Sequence, residues 1–161
     1  MIEIKKHSGI YTLTTEQIIN VSLKSAWDFF SSPENLQKIT PSKMEFRITS
    51  KVDAKAYAGQ IITYKVGILP GVKQNWVTEI TQVKGQEHFI DEQRFGPYKM
   101  WHHEHFFEAL PNGKTLMKDK ISYKIPFGVL GDLAQNIFIK KKLMAIFKYR
   151  YNTLEQLFNA K

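Results

Sequence analysis

An α+β fold is predicted for this chain of 161 residues, with a seven-stranded antiparallel sheet curved around a long C-terminal helix. Residues 44–125 alternate apolar and polar positions in short segments, whereas residues 129–158 place apolar side chains at helical spacing. The turns between the alternating segments are too short for the crossovers that parallel strands need. We therefore expect one domain spanning residues 1–161.

A strand and two short helices are predicted before this region. Residues 10–21 alternate and are rich in β-branched side chains, which is typical of a strand. Ser22 is a suitable cap for the first helix. Ser32 and Pro33 suit the start of the second, which Pro41 ends.

Six further strands are separated by turn sequences such as LPG, FGP and LPNG. Their predicted bounds are residues 44–52, 60–68, 72–83, 87–95, 98–110 and 115–125.

The C-terminal helix is predicted to bury one apolar stripe. The stripe comprises Leu133, Ile137, Met144, Phe147, Tyr151, Leu154 and Phe158. Lys140 falls within it, and we expect its stem to lie along apolar surface with the ammonium in water. A second apolar set, Ile139, Leu143 and Ile146, is a candidate contact with another chain, so we expect a monomer or a weak dimer.

The composition excludes several classes of function. Without cysteine the chain has no disulfide and no thiolate chemistry. No secretion signal or membrane-spanning run is evident, so a cytoplasmic protein is expected. The net charge of +8 is dispersed, which argues against a specific nucleic-acid partner. The basic residues Lys140, Lys141, Lys142, Lys148 and Arg150 are interpreted as a solvated face with at most peripheral membrane contact.

The segment TLMKDKISYKI, residues 115–125, shows which strand face is buried. Lys118, Lys120 and Lys124 share one face with Ser122, so the opposite face, which carries Asp119, points inward. Burying a carboxylate without a partner costs roughly several kcal/mol of free energy. Asp119 therefore needs a charged or hydrogen-bonding partner.

The same alternation divides the histidine-rich segment MWHHEHFFEAL. Trp101, His103, His105 and Phe107 share the inner face, whereas His102 and the glutamates face solvent. At most two of these three histidines can therefore act together.

The LPNG turn fixes how this strand pairs with the next. Pro111 and Asn112 suit the centre of a type I turn, and Gly113 suits the left-handed residue that follows, giving a three-residue loop. Closing the hairpin at Leu110 and Lys114 places His105 opposite Asp119, His103 opposite Ile121, and Trp101 opposite Tyr123. We therefore predict an internal contact between His105 and Asp119, with Tyr123 and Trp101 beside it.

A pocket with aromatic walls and a polar floor follows from these faces. Its floor is predicted to be His103, His105, Asp119 and Tyr123. The full set of predicted ligand-binding residues is Tyr64, Trp76, Phe89, Asp91, Trp101, His103, His105, Phe107, Asp119, Tyr123, Met144 and Phe147.

Three segments, AWDFFSSPENLQKITP, RFGPYKMWHHEHFFEALPNGKTLMKDKISYKIPFG and LGDLAQNIFIKKKLMAIFKYR, resemble the SRPBCC or START-like superfamily, closest to its bacterial ligand-binding and polyketide-cyclase-like members. The resemblance covers nearly the whole chain. It implies a helix-grip fold, in which the sheet wraps the C-terminal helix around a hydrophobic cavity. Fold alone does not assign an activity.

Three interpretations of the cavity follow. The favoured one is a carrier or sensor that binds a lipid or polyketide-like molecule without a cofactor. The alternative is a cyclase or dehydratase that uses His105, Asp119 and Tyr123 for acid–base chemistry. His103 and His105, with Asp91 or Asp119, also suit a metal ion, but a hydrogen-bonded polar cluster is the preferred interpretation, so no metal is expected.

Overall fold

A computed structural model describes residues 2–69 and 72–160 of the chain. Its described strands form one antiparallel sheet of eight strands in the order β1-β2-β8-β7-β6-β5-β4-β3. The strands are β1 Ile2–His7, β2 Ile10–Ile19, β3 Arg47–Ile48, β4 Ile61–Leu69, β5 Val72–Lys84, β6 His88–Phe95, β7 Met100–Ala109 and β8 Thr115–Lys124. With the long C-terminal helix described below, this sheet makes the α+β helix-grip fold that the sequence predicts.

The eighth strand, β1, is an addition to the predicted seven. Ser8 and Gly9 both adopt positive φ angles, 48° and 76°, and connect β1 to β2 as a tight hairpin with His7 opposite Ile10. Two consecutive left-handed residues match the twist of antiparallel strands, which allows so short a connection.

Of the elements near the start of the chain, the first helix forms as predicted, whereas the second helix and the strand after it differ. Helix α1, Leu23–Phe30, begins at Ser22, whose side chain accepts a hydrogen bond from the Ser25 amide as expected. The second segment, Pro33–Ile39, is a 3₁₀ helix, and the Ser32 side chain makes no capping bond. The predicted strand over 44–52 reduces to β3, which pairs only with β4 at the sheet edge.

The C-terminal helix is interrupted by a π-helical turn. It comprises α2 Gly128–Ala134, the π turn Gln135–Ile139, α3 Lys140–Leu154 and a second π turn, Glu155–Asn159. A π turn holds an extra residue, so the face that α2 presents to the sheet is out of phase with that of α3.

The predicted apolar stripe is therefore wrong in its first half. Leu133 and Ile137 are 56% and 61% exposed, whereas the stripe continues correctly through Phe147 and Leu154, which are buried. The second apolar set faces inward: Leu143 is buried, and Ile139 and Ile146 pack against the same core cluster. That set therefore lies against the domain's own core.

The core lies between the concave face of the sheet and α3. Trp27 of α1 packs edge-on against Phe89 and Phe107 at one end, and Leu154 belongs to the same cluster. Among the described residues, no helix has the length and apolar character required to cross a membrane.

Candidate functional site

The β7–β8 hairpin brings the inward-facing polar residues together. Leu110 N donates to Lys114 O at 2.8 Å, closing a three-residue loop. Gly113 is left-handed as expected, and so is Asn112, at φ 64°, where the type I turn predicted a right-handed residue. The predicted register is confirmed: His105 pairs with Asp119, His103 with Ile121 and Trp101 with Tyr123.

The predicted contact between His105 and Asp119 is also confirmed. His105 Nδ1 lies 2.9 Å from Asp119 Oδ1. The two atoms are not aligned for a hydrogen bond, so the contact is electrostatic. His103 Nε2 makes a hydrogen bond to the same oxygen at 3.2 Å. One carboxylate therefore serves both imidazoles, whose ring centroids are 3.7 Å apart.

A second carboxylate, Asp91 of β6, lies on the other side of the imidazoles. Its Oδ2 accepts a hydrogen bond from His105 Nε2 at 2.9 Å and lies 3.5 Å from His103 Nδ1. The register of β6 with β7 places Asp91 opposite His103 and Phe89 opposite His105. Phe89 stacks on the His105 ring at a centroid distance of 4.1 Å, which holds the plane of that ring.

Arg150 of α3 completes the cluster from the helix side. Its Nη2 lies 3.4 Å from Asp119 Oδ1, and its side chain is only 8% exposed. The interpretation of Arg150 as part of a solvated basic face is therefore wrong. Lys140, Lys141 and Lys148 of that set are exposed.

The ionisation of the cluster follows from burial and charge. Burial by itself would raise the pKa of Asp119, but Arg150 and the two histidines outweigh it and hold that pKa well below its usual range. The pKa of Asp91 is also lowered, because the effect of His103 and His105 is larger than the opposing effect of burial. Both carboxylates are therefore ionised at neutral pH.

The two histidines respond in opposite directions. Burial lowers the pKa of His103, and the neighbouring His105 lowers it further. Burial acts in the same direction on His105, but the contacts with Asp119 and Asp91 outweigh it, so its pKa is raised.

A cavity of about 740 Å³ lies between the sheet and the helix. Its lining is mostly apolar and aromatic, with Asp91, His103, His105 and Arg150 grouped at one place on the wall. The lining extends to Phe127, which is 83% exposed, so the cavity reaches the surface beside α2.

Eight of the twelve predicted ligand-binding residues line this cavity. They are Tyr64, Trp76, Phe89, Asp91, Trp101, His103, His105 and Phe147. Their binding role stays a prediction.

The other four predicted residues lie outside the lining. Phe107 packs against Trp27 in the core, and Asp119 sits behind the histidines. Met144 lies in α3 next to Leu143, and it is Leu143 that lines the cavity.

Tyr123 is fully buried away from the cavity. Its ring stacks on Tyr11, and its hydroxyl accepts a hydrogen bond from Gln135 Nε2 at 2.6 Å. Burial raises the pKa of Tyr123 to about 12. Tyr123 therefore stabilises the junction of sheet and helix and does not reach a molecule in the cavity.

The sequence did not predict the role of Arg150 or the exposure of the apolar residues beside the cavity opening. The rule that a buried carboxylate needs a partner pointed to a cation near Asp119, but helical spacing alone could not assign it to Arg150. A continuous buried stripe was predicted for the helix, so the exposure of the apolar residues Val129 and Leu130 was not expected.

Fold and cavity together define a helix-grip domain with an internal apolar cavity and a buried charged cluster. No protein-family model and no curated protein matches the chain. Solved structures do match, and they place the chain in the START-like fold.

Three of these structures cover nearly the whole chain. A protein from Arthrobacter aurescens has a TM-score of 0.69 at 13% identity, covering 96% of this chain and 91% of that one. Protein CV1439 from Chromobacterium violaceum has a TM-score of 0.68 at 12% identity, with coverages of 93% and 99%. A START superfamily protein from Mycobacterium smegmatis has a TM-score of 0.66 at 12% identity, with coverages of 91% and 98%.

Proposed function

We propose that the protein binds a hydrophobic or aromatic small molecule in its internal cavity and acts as a carrier or sensor. The observation that supports this most strongly is the cavity itself. Its volume of about 740 Å³ falls in the range of small-molecule sites, and its wall combines apolar side chains with one group of polar residues. The START-like fold of the neighbouring structures is consistent with a ligand-binding domain.

The polar group gives the ligand an orientation. The aromatic part of the wall is formed by Trp76, Trp101 and Tyr64, so the apolar body of the ligand lies against these side chains. Asp91, His103, His105 and Arg150 form one polar group on the wall, where a single oxygen or nitrogen of the ligand can bond. A molecule with one polar end and an apolar body fits this distribution.

A change in cavity volume tests the proposal. Ala56 lines the cavity, whereas Ala58, two residues away, is exposed and lies outside the lining. Ala56→Trp fills part of the cavity, and Ala58→Trp adds the same side chain at the surface as its matched control.

The measurement is binding of a long-chain fatty acid, its alcohol and a polycyclic aromatic probe, followed by calorimetry and by native mass spectrometry. Saturable 1:1 binding that Ala56→Trp weakens at least ten-fold, with no change in Ala58→Trp, supports the proposal. Equal binding by all three proteins, or binding by none, would contradict it.

A proton-transfer enzyme is the second candidate function. The observation in its favour is a pair of contacting histidines at the wall of the cavity, with ring centroids 3.7 Å apart. Burial lowers the pKa of His103, whereas Asp119 and Asp91 raise that of His105, and such a pair can supply an acid and a base. The cyclase or dehydratase hypothesis also used Asp119 and Tyr123, which lie outside the lining. Binding without turnover of an aromatic polyketide-like substrate would favour the carrier.

A carrier also needs a route for its ligand to leave. The rim of the cavity, defined here as residues 127–138, exposes Phe127, Val129, Leu130, Leu133, Ile137 and Phe138. Lys140 and Lys141 follow it directly and are exposed. An apolar patch next to cations suits brief contact with an anionic membrane surface.

A further inference from the structure

The two imidazoles of the buried cluster are held between two carboxylates. His105 Nε2 and His103 Nδ1 lie 2.9 and 3.5 Å from Asp91 Oδ2. The remaining nitrogens, His103 Nε2 and His105 Nδ1, lie 3.2 and 2.9 Å from Asp119 Oδ1. Each ring therefore directs one nitrogen toward Asp91, at the cavity wall, and the other toward Asp119, behind the wall.

We propose that Asp91, His103 and His105 form a binding site for a divalent transition-metal ion such as Zn²⁺. One ligand atom from each residue lies within 4.8 Å of the other two. Tetrahedral Zn²⁺ with bonds of about 2.0–2.1 Å spaces its ligand atoms about 3.3 Å apart. The distances from Asp91 Oδ2 to His105 Nε2 and His103 Nδ1, 2.9 and 3.5 Å, bracket that spacing.

The surroundings of the three residues match those of a metal site. Histidines that bind a metal usually direct their second nitrogen to a carboxylate, which fixes the ring and makes it a better ligand. Asp119 Oδ1 makes such a hydrogen bond with His103 Nε2 at 3.2 Å and lies 2.9 Å from His105 Nδ1, and Arg150 Nη2 lies 3.4 Å from the same oxygen. Asp119 and Arg150 are thus positioning residues for the ligands.

The charge of the cluster also favours a cation. With both imidazoles neutral, as metal ligands must be, Asp91, Asp119 and Arg150 leave one net negative charge in a buried place. Such a charge is costly unless it is compensated. A metal ion between the three ligands compensates it.

Three protein ligands leave coordination positions open. Asp91, His103 and His105 all line the cavity, so the open positions face it. This is the arrangement of metal sites that accept a water or a ligand oxygen. The proposal itself does not depend on an apolar ligand, and its test uses metal alone.

The test uses the full chain without a histidine tag, treated with a chelator and then titrated with Zn²⁺ by calorimetry and with Co²⁺ by visible absorption. We expect one equivalent of either ion to bind with micromolar or tighter affinity. Asp91→Asn should weaken binding at least about ten-fold, and Asp119→Asn about ten-fold or more, although Asp119 touches no ion.

The matched control is His102→Gln. His102 lies on the outer face of β7 and contacts Glu92 at 2.8 Å, so its loss should leave metal binding unchanged. Circular dichroism confirms that each variant is folded. Failure of the wild-type protein to bind one equivalent, equal affinity in Asp91→Asn, or loss of binding in His102→Gln would overturn the proposal.

A measurement on the wild-type protein covers the case in which a variant does not fold. Zn²⁺ should shift the ring proton resonances of His103 and His105 in NMR spectra and leave those of His7, His88 and His102 in place. Shifts confined to the last three histidines would show surface binding and contradict the proposal.

Discussion

Arg150 on α3 and Asp119 on β8 form a buried ion pair that joins the helix to the sheet, with Arg150 Nη2 3.4 Å from Asp119 Oδ1. The two residues are 31 positions apart in the chain (150 − 119) and belong to different layers of the fold. The pair therefore forms only when the C-terminal helix docks.

Replacing Arg150 by methionine should destabilise the protein. Asp119 would remain buried without its cation, which costs about 3 kcal/mol or more in the free energy of unfolding. Urea unfolding followed by circular dichroism measures this. Lys148→Met, at an exposed position of the same helix, is the control and should be within about 0.5 kcal/mol of wild type.

A second substitution checks the cause of that loss. Adding Asp119→Asn to Arg150→Met removes the buried charge that the first change leaves unpaired, so the double variant should recover part of the lost stability. A double variant less stable than the sum of the two single changes would contradict this explanation.

The phase of the C-terminal helix can be tested by truncating two aliphatic side chains. Leu143 is buried and lines the cavity, so Leu143→Ala should lower the free energy of unfolding by about 2–3 kcal/mol. Ile137 is exposed, and Ile137→Ala should change it by no more than about 0.5 kcal/mol. The reverse ranking would contradict the orientation of the helix described here.

Acid should weaken the attachment of α2 to the first two strands. Asp132 accepts hydrogen bonds from Lys6 Nζ at 2.9 Å and Tyr11 Oη at 2.8 Å. These bonds lower the pKa of Asp132, and the bond from Lys6 has the larger effect. Because the folded-state pKa is below the unfolded one, the stabilisation is complete above the unfolded value of about 3.9. It is lost as the pH falls through the folded-state pKa.

An NMR titration of the Asp132 carboxyl carbon measures this directly, and hydrogen exchange of β1 amides reports the attachment. Asp132→Asn carries no titrating group, so β1 exchange in that variant should depend less on pH between 5 and 3, a window about one unit either side of the usual carboxyl pKa. An unchanged dependence would rule out Asp132 as the group responsible.

Contact with membranes should depend on the exposed rim. Leu133 is 56% exposed beside the cavity, and Leu133→Gln should weaken binding to phosphatidylserine-containing vesicles about five-fold, because less apolar surface enters the interface. Ile18→Gln changes a comparably exposed residue of β2 and should have no effect. Vesicle co-sedimentation at low and moderate salt is the measurement, and equal losses in both variants would exclude a specific surface.

The strand faces and one strand register were predictable because they depend on local geometry. Alternation alone placed Asp119, His103 and His105 inside. The LPNG loop then required His105 to lie opposite Asp119, since a slip of one residue would reverse every side chain of the strand. The connection from β6 to β7 is a less defined turn, so Asp91 could be assigned to the inner face but not to its position opposite His103.

What the sequence by itself determined was the α+β helix-grip architecture, the strand faces and the His105–Asp119 contact, since short-range periodicity and turn chemistry suffice for these. Tertiary structure decided which helix side chains meet the sheet. One π turn puts α2 out of phase with α3, so Leu133 and Ile137 are exposed while Leu143 of α3 is buried. The burial of Arg150 against Asp119 depends on how the helix docks, because a buried carboxylate requires compensation that no local pattern assigns to a particular residue.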